Sequence, residues 1–284
     1  MDLERTASLS YRPPIESGAL LEFVAGRAVP GVEEVVDGTY RRSVRLAGGP
    51  ALIELRPEPG RISARFLLAA ADDLADAVAR CRRLLDLDAD PGAIVGALGD
   101  DRVLGGSVRA TPGLRSPGHV DPPELAIRAV LGQQVSLRAA ATIAGRLVEA
   151  HGERLPVPNG SVTHLFPLPS RLAKLHPGSL PMPAPRARAL VALARSLAGG
   201  ELALESGDDP SAVRARLVGQ PGIGPWTADY IAMRGLGDRD VFPGEDLWIR
   251  RALGLGTGDR ARVAALADRW RPYRAYAAQH LWAR

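Results

Sequence analysis

The chain has 284 residues, a net charge of +4 and 46% hydrophobic residues, enough apolar content and length for a real core divided over two or three domains. No apolar run approaches the roughly 20 residues that span a bilayer, and MDLERTASLSYRPP lacks the basic-then-apolar order of a signal peptide. Cys81 is the sole cysteine, which excludes an internal disulfide, a four-cysteine zinc site and a cysteine-ligated iron–sulfur cluster. The cytoplasm is the default compartment and no membrane contact is expected. The basic balance suits a polyanionic partner without demanding one. Lys174 is the only lysine, so any mechanism with a lysine nucleophile must use Lys174 or the α-amino group.

Residues 1–85 read as an α+β unit. Leu20–Ala28 carries apolar residues at helical spacing. Three short runs follow, Tyr40–Leu46, Ala51–Pro57 and Arg61–Leu68, separated by Gly48-Gly49-Pro50 and Pro59-Gly60, which is hairpin punctuation. Ile53 and Leu55 alternate with polar residues, as do Ile62, Ala64 and Phe66; this predicts an antiparallel sheet with one buried face. Asp72–Leu85 then has helical periodicity. Asp86–Pro123 is rich in Gly, Pro and Asp and reads as a linker with short helical turns.

From there the chain reads as almost all helix. Pro122–Ala150 is long and apolar on one face, and Pro185–Ala198, Pro210–Val218, Pro225–Gly235, Glu245–Leu253, Asp259–Trp270 and Tyr273–Ala283 follow. Several begin at a proline, where the missing N–H costs nothing. The expected class is α+β: a small antiparallel-sheet domain over 1–85 and a two-lobed helical region over 86–284.

Leu217–Asp246, LVGQPGIGPWTADYIAMRGLGDRDVFPGED, is the most informative stretch. Gly222 and Gly224, two apart, permit a hairpin too tight for side chains. Ile223 can turn inward and pin it, and Pro225 opens the next helix. The free N–H groups of the hairpin and the helix start form a seat for a phosphate that needs no base sequence. A plain helix–turn–helix corner would show the same two glycines. Asp246 stands at the mouth of a further helix, where it can cap the helix, serve as a carboxylate in chemistry, or do both. Asp240 reads as a solvated loop charge and Glu245 as a first-turn acid.

This stretch resembles the helix-hairpin-helix DNA glycosylase superfamily, and in particular the bacterial 3-methyladenine DNA glycosylase II family. LLEFVAGRAV near the start, AIRAVLGQQVS in the middle, GIGPWTADYIAMR, and RWRPYRAYAAQHLW at the end carry the likeness over nearly the whole chain. The resemblance implies a sheet-containing N-terminal domain and two helical lobes flanking a cleft, with a helix-hairpin-helix at 217–233. It implies Asp246 as the catalytic carboxylate, beside the oxocarbenium-like sugar formed when an N-glycosidic bond breaks, or orienting the attacking water. Trp226, Tyr230 and Trp282 match pocket aromatics, which attract a cationic alkylated base, and Phe23 matches one reaching in from the N-terminal domain. Gly222, Ile223, Gly224 and Thr227 match the DNA-contacting hairpin. LGQQVS matches a turn that enters the minor groove, with Gln134 in the gap left by the flipped nucleotide. Trp248, Trp270, Tyr273 and Tyr276 are expected to pack core.

Two departures stand out. Members that also cut the backbone carry a lysine where this chain has Trp226, so the resemblance implies hydrolysis by water and an abasic product. Leu247 replaces an aromatic, which puts the range of accepted bases in question. The five histidines are scattered without metal-ligand spacing, so no cofactor is expected beyond a structural monovalent cation that the hairpin carbonyls could hold. The expected function is therefore a monofunctional glycosylase acting as a monomer on alkylated bases in duplex DNA. The rivals are a non-catalytic module for bent or damaged duplex, which needs the hairpin but not Asp246, and a glycosylase for oxidised or deaminated purines.

Overall fold

A computed structural model of the chain describes residues 3–204 and 209–284. The chain opens with β1 (Leu3–Leu9) and α1 (Ser17–Ala25), then runs through β2 (Glu33–Val36), β3 (Thr39–Leu46), β4 (Gly49–Glu58) and β5 (Arg61–Leu68). These strands form one antiparallel sheet in the order β1-β5-β4-β3-β2. The three strands read from alternation are present. β1 and β2 are additional: LERTASL and EEVV carry charge where alternation would put apolar residues, and each lies at a sheet edge. Helix α2 (Leu74–Leu84) closes the inner face, burying Cys81 and Leu84 with Val44, Ile53, Leu55, Ile62 and Phe66.

The segment read as a linker contains α3 (Pro91–Leu98) and α4 (Gly105–Ala110). Asp90 caps α3 by accepting from Ala93 N, and Pro91 occupies its first position. Ile94, Leu98, Leu104 and Val108 are buried in a helical core with Ile249, Trp270 and Tyr276. Asp90 and Gly99 mark the two ends of α3, while Gly96 lies within it.

The long apolar stretch after Asp121 is two helices, α5 (Pro122–Leu131) and α6 (Leu137–His151). Gln134 breaks them apart with a φ of 58°, and Ser136 restarts the helix by accepting from Ala139 N. A hairpin absent from the all-helical reading follows, β6 (Glu153–Asn159) and β7 (Val162–Leu165). It covers the outer face of the main sheet, with Leu52, Leu155, Val162 and Leu165 packed together. Helices α7 (Pro169–Leu172), α8 (Ala184–Ala198), α9 (Pro210–Val218), α10 (Pro225–Gly235), α11 (Leu247–Ala252), α12 (Arg260–Asp268) and α13 (Arg274–Trp282) complete the chain.

The two helical cores meet on α10. Ala228 and Ile231 belong to the core built by α5, α6, α8 and α9. Ala232 and Met233 belong to the core built by α3, α4, α12 and α13, and Tyr230 packs against both. Helix α10 is thus the wall shared by two lobes, and its exposed N-terminal end lies at the groove between them. The sheet is tied to this body by buried charge: Arg42 of β3 pairs with Glu124 of α5 at 2.8 Å, and Glu33 of β2 pairs with Arg128 of α5 at 2.6 Å.

Candidate active site and hairpin surface

Helix α9 ends at Val218, and six residues later Gly224 caps α10 with an extended φ of −85°. Gly222 has a φ of 76°, and a Cβ there would stand 2.6 Å from the Ala189 methyl. Glycine is therefore required at 222 by both backbone and packing. At Gly224 a Cβ would meet nothing within 4 Å among the described residues, and the position is exposed. Ile223 points inward into the first helical core. Thr227 is buried as well, and its hydroxyl accepts from Gln133 Nε2 at 3.1 Å. The side chains of Ile223 and Thr227 hold the hairpin in place, and only their backbone can face a ligand.

Gln133 donates also to the Gly222 carbonyl at 2.9 Å. It thereby locks the α5–α6 turn to the hairpin and leaves the neighbouring Gln134 exposed at the rim in the left-handed region. An L-residue in that conformation costs about 1–2 kcal/mol, which Gln133 and the Ser136 cap help offset.

The loop after α10 returns to place Asp246 at the start of α11. Its Oδ1 accepts from Trp248 N at 2.9 Å and Ile249 N at 3.0 Å. Trp282 Nε1 donates to the same oxygen at 3.1 Å, and Trp226 Nε1 donates to Oδ2 at 2.8 Å. Asp246 is thus both a helix cap and a pocket carboxylate. Four donors fix its orientation, and it remains on the wall of a cleft of about 630 Å³. That volume lies within the usual range for small-molecule sites. Trp226 and Tyr230, one turn apart on α10, stack with ring centroids 5.4 Å apart and planes 13° from parallel. With Trp282 they line the same cleft, opposite Leu125, Ala129 and Val135 from the α5–α6 side.

Of the expected site residues, Asp246, Trp226, Tyr230 and Trp282 converge. Phe23 does not line the cleft: it lies between the guanidiniums of Arg27 and Arg234, whose Cζ atoms stand 3.6 and 4.7 Å from its ring centre. Arg27, Arg128 and Arg234 line the cleft in its place. Isolated arginines carry no periodic signal, and these are gathered from the end of α1, α5 and α10. Trp248, expected in the core, is 68% exposed and lines the mouth of the cleft beside Asp246. It directly follows Leu247, which is 59% exposed. Trp270 and Tyr276 are in the core as expected, and Tyr273 packs at its margin. Asp240 is paired with Arg271 and Arg274, and Glu245 with Arg260. His280 is buried against Ser107 Oγ at 3.1 Å, where burial brings the ring down to about 4, a structural role. Among the described residues, no three His, Cys, Asp or Glu side chains converge as metal ligands.

A sheet-bearing N-terminal unit, two helical lobes and a glycine hairpin beside a carboxylate-bearing cleft define the fold of the helix-hairpin-helix DNA glycosylases. A 3-methyladenine DNA glycosylase from Archaeoglobus fulgidus superposes with a TM-score of 0.83 over 98% of this chain and 97% of its own, at 20% identity. Residues 6–121 match the AlkA N-terminal domain. The DNA-3-methyladenine glycosylase 2 of Escherichia coli is 37% identical over 280 residues, which is 97% of this chain and 96% of that protein. The chain belongs to this AlkA family. A relative from Mycobacterium tuberculosis, described as a probable bifunctional transcriptional activator/DNA repair enzyme AlkA, is 50% identical over 277 residues, 96% of this chain but 56% of the relative. The chain therefore spans little more than half the length of that relative.

Proposed function

We propose that the protein is a DNA glycosylase that hydrolyses the N-glycosidic bond of a base flipped out of duplex DNA, with alkylated purines as its principal substrates. The observation that carries this reading is the Asp246 carboxylate, held by two indole N–H groups on the wall of an aromatic cleft. The C–N bond breaks with its electron pair leaving on the base, and positive charge develops on the sugar. Asp246 stabilises that charge; the cationic alkylated base departs neutral once it has taken the electron pair, and water adds to the sugar carbon, giving up its proton to Asp246 or to solvent. Trp226, at the position that could carry a lysine nucleophile, is stacked and hydrogen-bonded instead, so the product is an abasic site with an intact backbone.

The test is chromatography of free bases released from methylated duplex. The expected result is release of 3-methyladenine without strand breakage and without a borohydride-trapped adduct. A trapped adduct would replace water by an amine nucleophile. Tight duplex binding with no release would favour the non-catalytic module.

The hairpin supplies a second prediction. Gly224→Ala should change unfolding stability by no more than about 1 kcal/mol, the scale of an N-cap change. Duplex affinity should fall by roughly tenfold, because the methyl occupies the open space where a phosphate oxygen reaches the backbone N–H groups. Gly222→Ala should instead destabilise the fold by about 2 kcal/mol or more, from left-handed strain and the Ala189 contact. Denaturant titrations with binding isotherms at fixed salt separate the two. Equal affinity for Gly224→Ala and wild type would remove the hairpin from the phosphate contact.

A further inference from the structure

The floor of the cleft carries charge that the hydrolysis above does not use. Arg27, Arg128 and Arg234 all line it. Arg128 is neutralised by Glu33 and Glu124, at 2.6 and 2.9 Å. Behind it Arg42 shares the same two carboxylates. His119 touches Arg128 at 3.2 Å, and burial with the surrounding guanidiniums holds its ring well below the ordinary value, so it adds no charge. Arg27 and Arg234 are placed differently. Arg27 donates to the Phe23 carbonyl at 3.1 Å, and its Nε is buried with no partner among the described residues. Arg234 donates to the carbonyls of Pro117 and Gly118 and, at 2.8 Å, to the hydroxyl of Tyr230. Their two positive charges, separated by the ring of Phe23, thus meet carbonyls and one phenol.

Tyr230 is the group able to supply the missing negative charge. Its ring is fixed parallel to Trp226, and its hydroxyl accepts from Arg234 while donating to no protein group among the described residues. Tyr230 itself lines the cleft. Burial opposes ionisation, but Arg234 and Arg27 more than offset it and bring the phenol down to about 8. The other charged groups facing this space are Arg128 on α5, Arg138 at the rim from α6, and Asp246 across the cleft.

We propose that Tyr230 selects bases by charge: as a phenolate it neutralises the Arg27–Arg234 floor and admits a cationic, ring-alkylated base, and as a phenol it leaves the floor positive and donates its proton to an acceptor edge of a neutral base. On ionisation the proton passes to solvent. The selection rests on the glycosylase reading; the ionisation does not. A phenolate thus reconciles a cationic substrate with an arginine-lined pocket, and a phenol widens the range toward neutral lesions.

Two measurements test this. Tyrosinate difference absorbance should show one tyrosine titrating near pH 8 in the wild type, absent in Tyr230→Phe and moved upward in Arg27→Gln. Single-turnover release should then be compared on duplexes carrying 3-methyladenine, a fixed cation, and ethenoadenine, a neutral base. From about pH 7 to about pH 9 the wild-type ratio of cationic to neutral release should rise on the order of tenfold, while in Tyr230→Phe it changes less than about twofold. A ratio that moves in parallel in both proteins, or no tyrosine titrating below about pH 9, overturns the proposal. Release of neither base with the tyrosine step intact would remove the glycosylase reading and with it the selection, while the ionised tyrosine would stand.

Discussion

Asp246→Asn should lower single-turnover base release by about three powers of ten while leaving duplex affinity within a few-fold of wild type. A carboxylate about 4 Å from a developing positive sugar, at an effective dielectric near 20, stabilises it by roughly 4 kcal/mol, and about 1.4 kcal/mol is a factor of ten in rate. Asparagine is as good an N-cap as aspartate, so the Trp248 and Ile249 N–H groups keep an acceptor and α11 stays formed. The pocket side is where the substitution acts. Oδ1 already serves the cap and Trp282, so the amide nitrogen falls opposite Trp226 Nε1, where Oδ2 now accepts at 2.8 Å. Two donors then face each other, at a cost of about 1–3 kcal/mol for the unsatisfied pair. A modest fall in thermal stability should therefore accompany the loss of activity, and Trp226 fluorescence should change. Quenched-flow assays on methylated duplex read the rate. Release within about tenfold of wild type would leave the hydrolysis without its carboxylate, since the electrostatic term alone exceeds that.

How much of this was legible in the sequence depended on whether a residue's environment is local. Strands β3, β4 and β5 were readable because their inward residues alternate. Asp246 as a cap was readable from one carboxylate before a helical run. The break between α5 and α6 was not visible in periodicity, because apolar spacing continues through GQQVS; only the resemblance marked a turn there. The β6–β7 hairpin did carry a signal, Asn159-Gly160 ahead of Val162, with Gly160 at a φ of 59°. The surrounding prolines masked it, since they read as loop. The arginine floor had no local signature. Arg234 is held by the distant carbonyls of Pro117 and Gly118, and Arg128 bonds Glu33 of β2 and the Arg27 carbonyl, while Arg27 itself donates to the nearby Phe23 carbonyl. Phe23 shows the same limit from the other side: the motif match implied a pocket aromatic, but the arginines that flank it take the place in the cleft.

Glu124→Ala should destabilise the protein by about 3–5 kcal/mol, because removing one partner of a buried pair leaves an uncompensated charge. Arg42, fully buried in the sheet, loses its 2.8 Å partner and retains Glu33 at 3.7 Å. Arg128 loses its 2.9 Å contact in the same step and keeps only Glu33 as a carboxylate. Both guanidiniums then share Glu33, so the two losses are not independent. Replacing the Arg42–Glu124 pair together by Met and Leu should recover most of the stability, since apolar residues of similar volume need no desolvated charge to be balanced. Denaturant unfolding of the single and double variants tests this, and a single-variant loss below about 1 kcal/mol would mean that water reaches the network. The double variant also separates stability from function. It restores packing between the sheet and α5 but leaves Arg128 with Glu33 alone, so the cleft floor becomes more mobile. Stability near wild type with slower base release is the expected pattern, because the network that anchors the N-terminal sheet to the helical body also anchors one of the three arginines under the base.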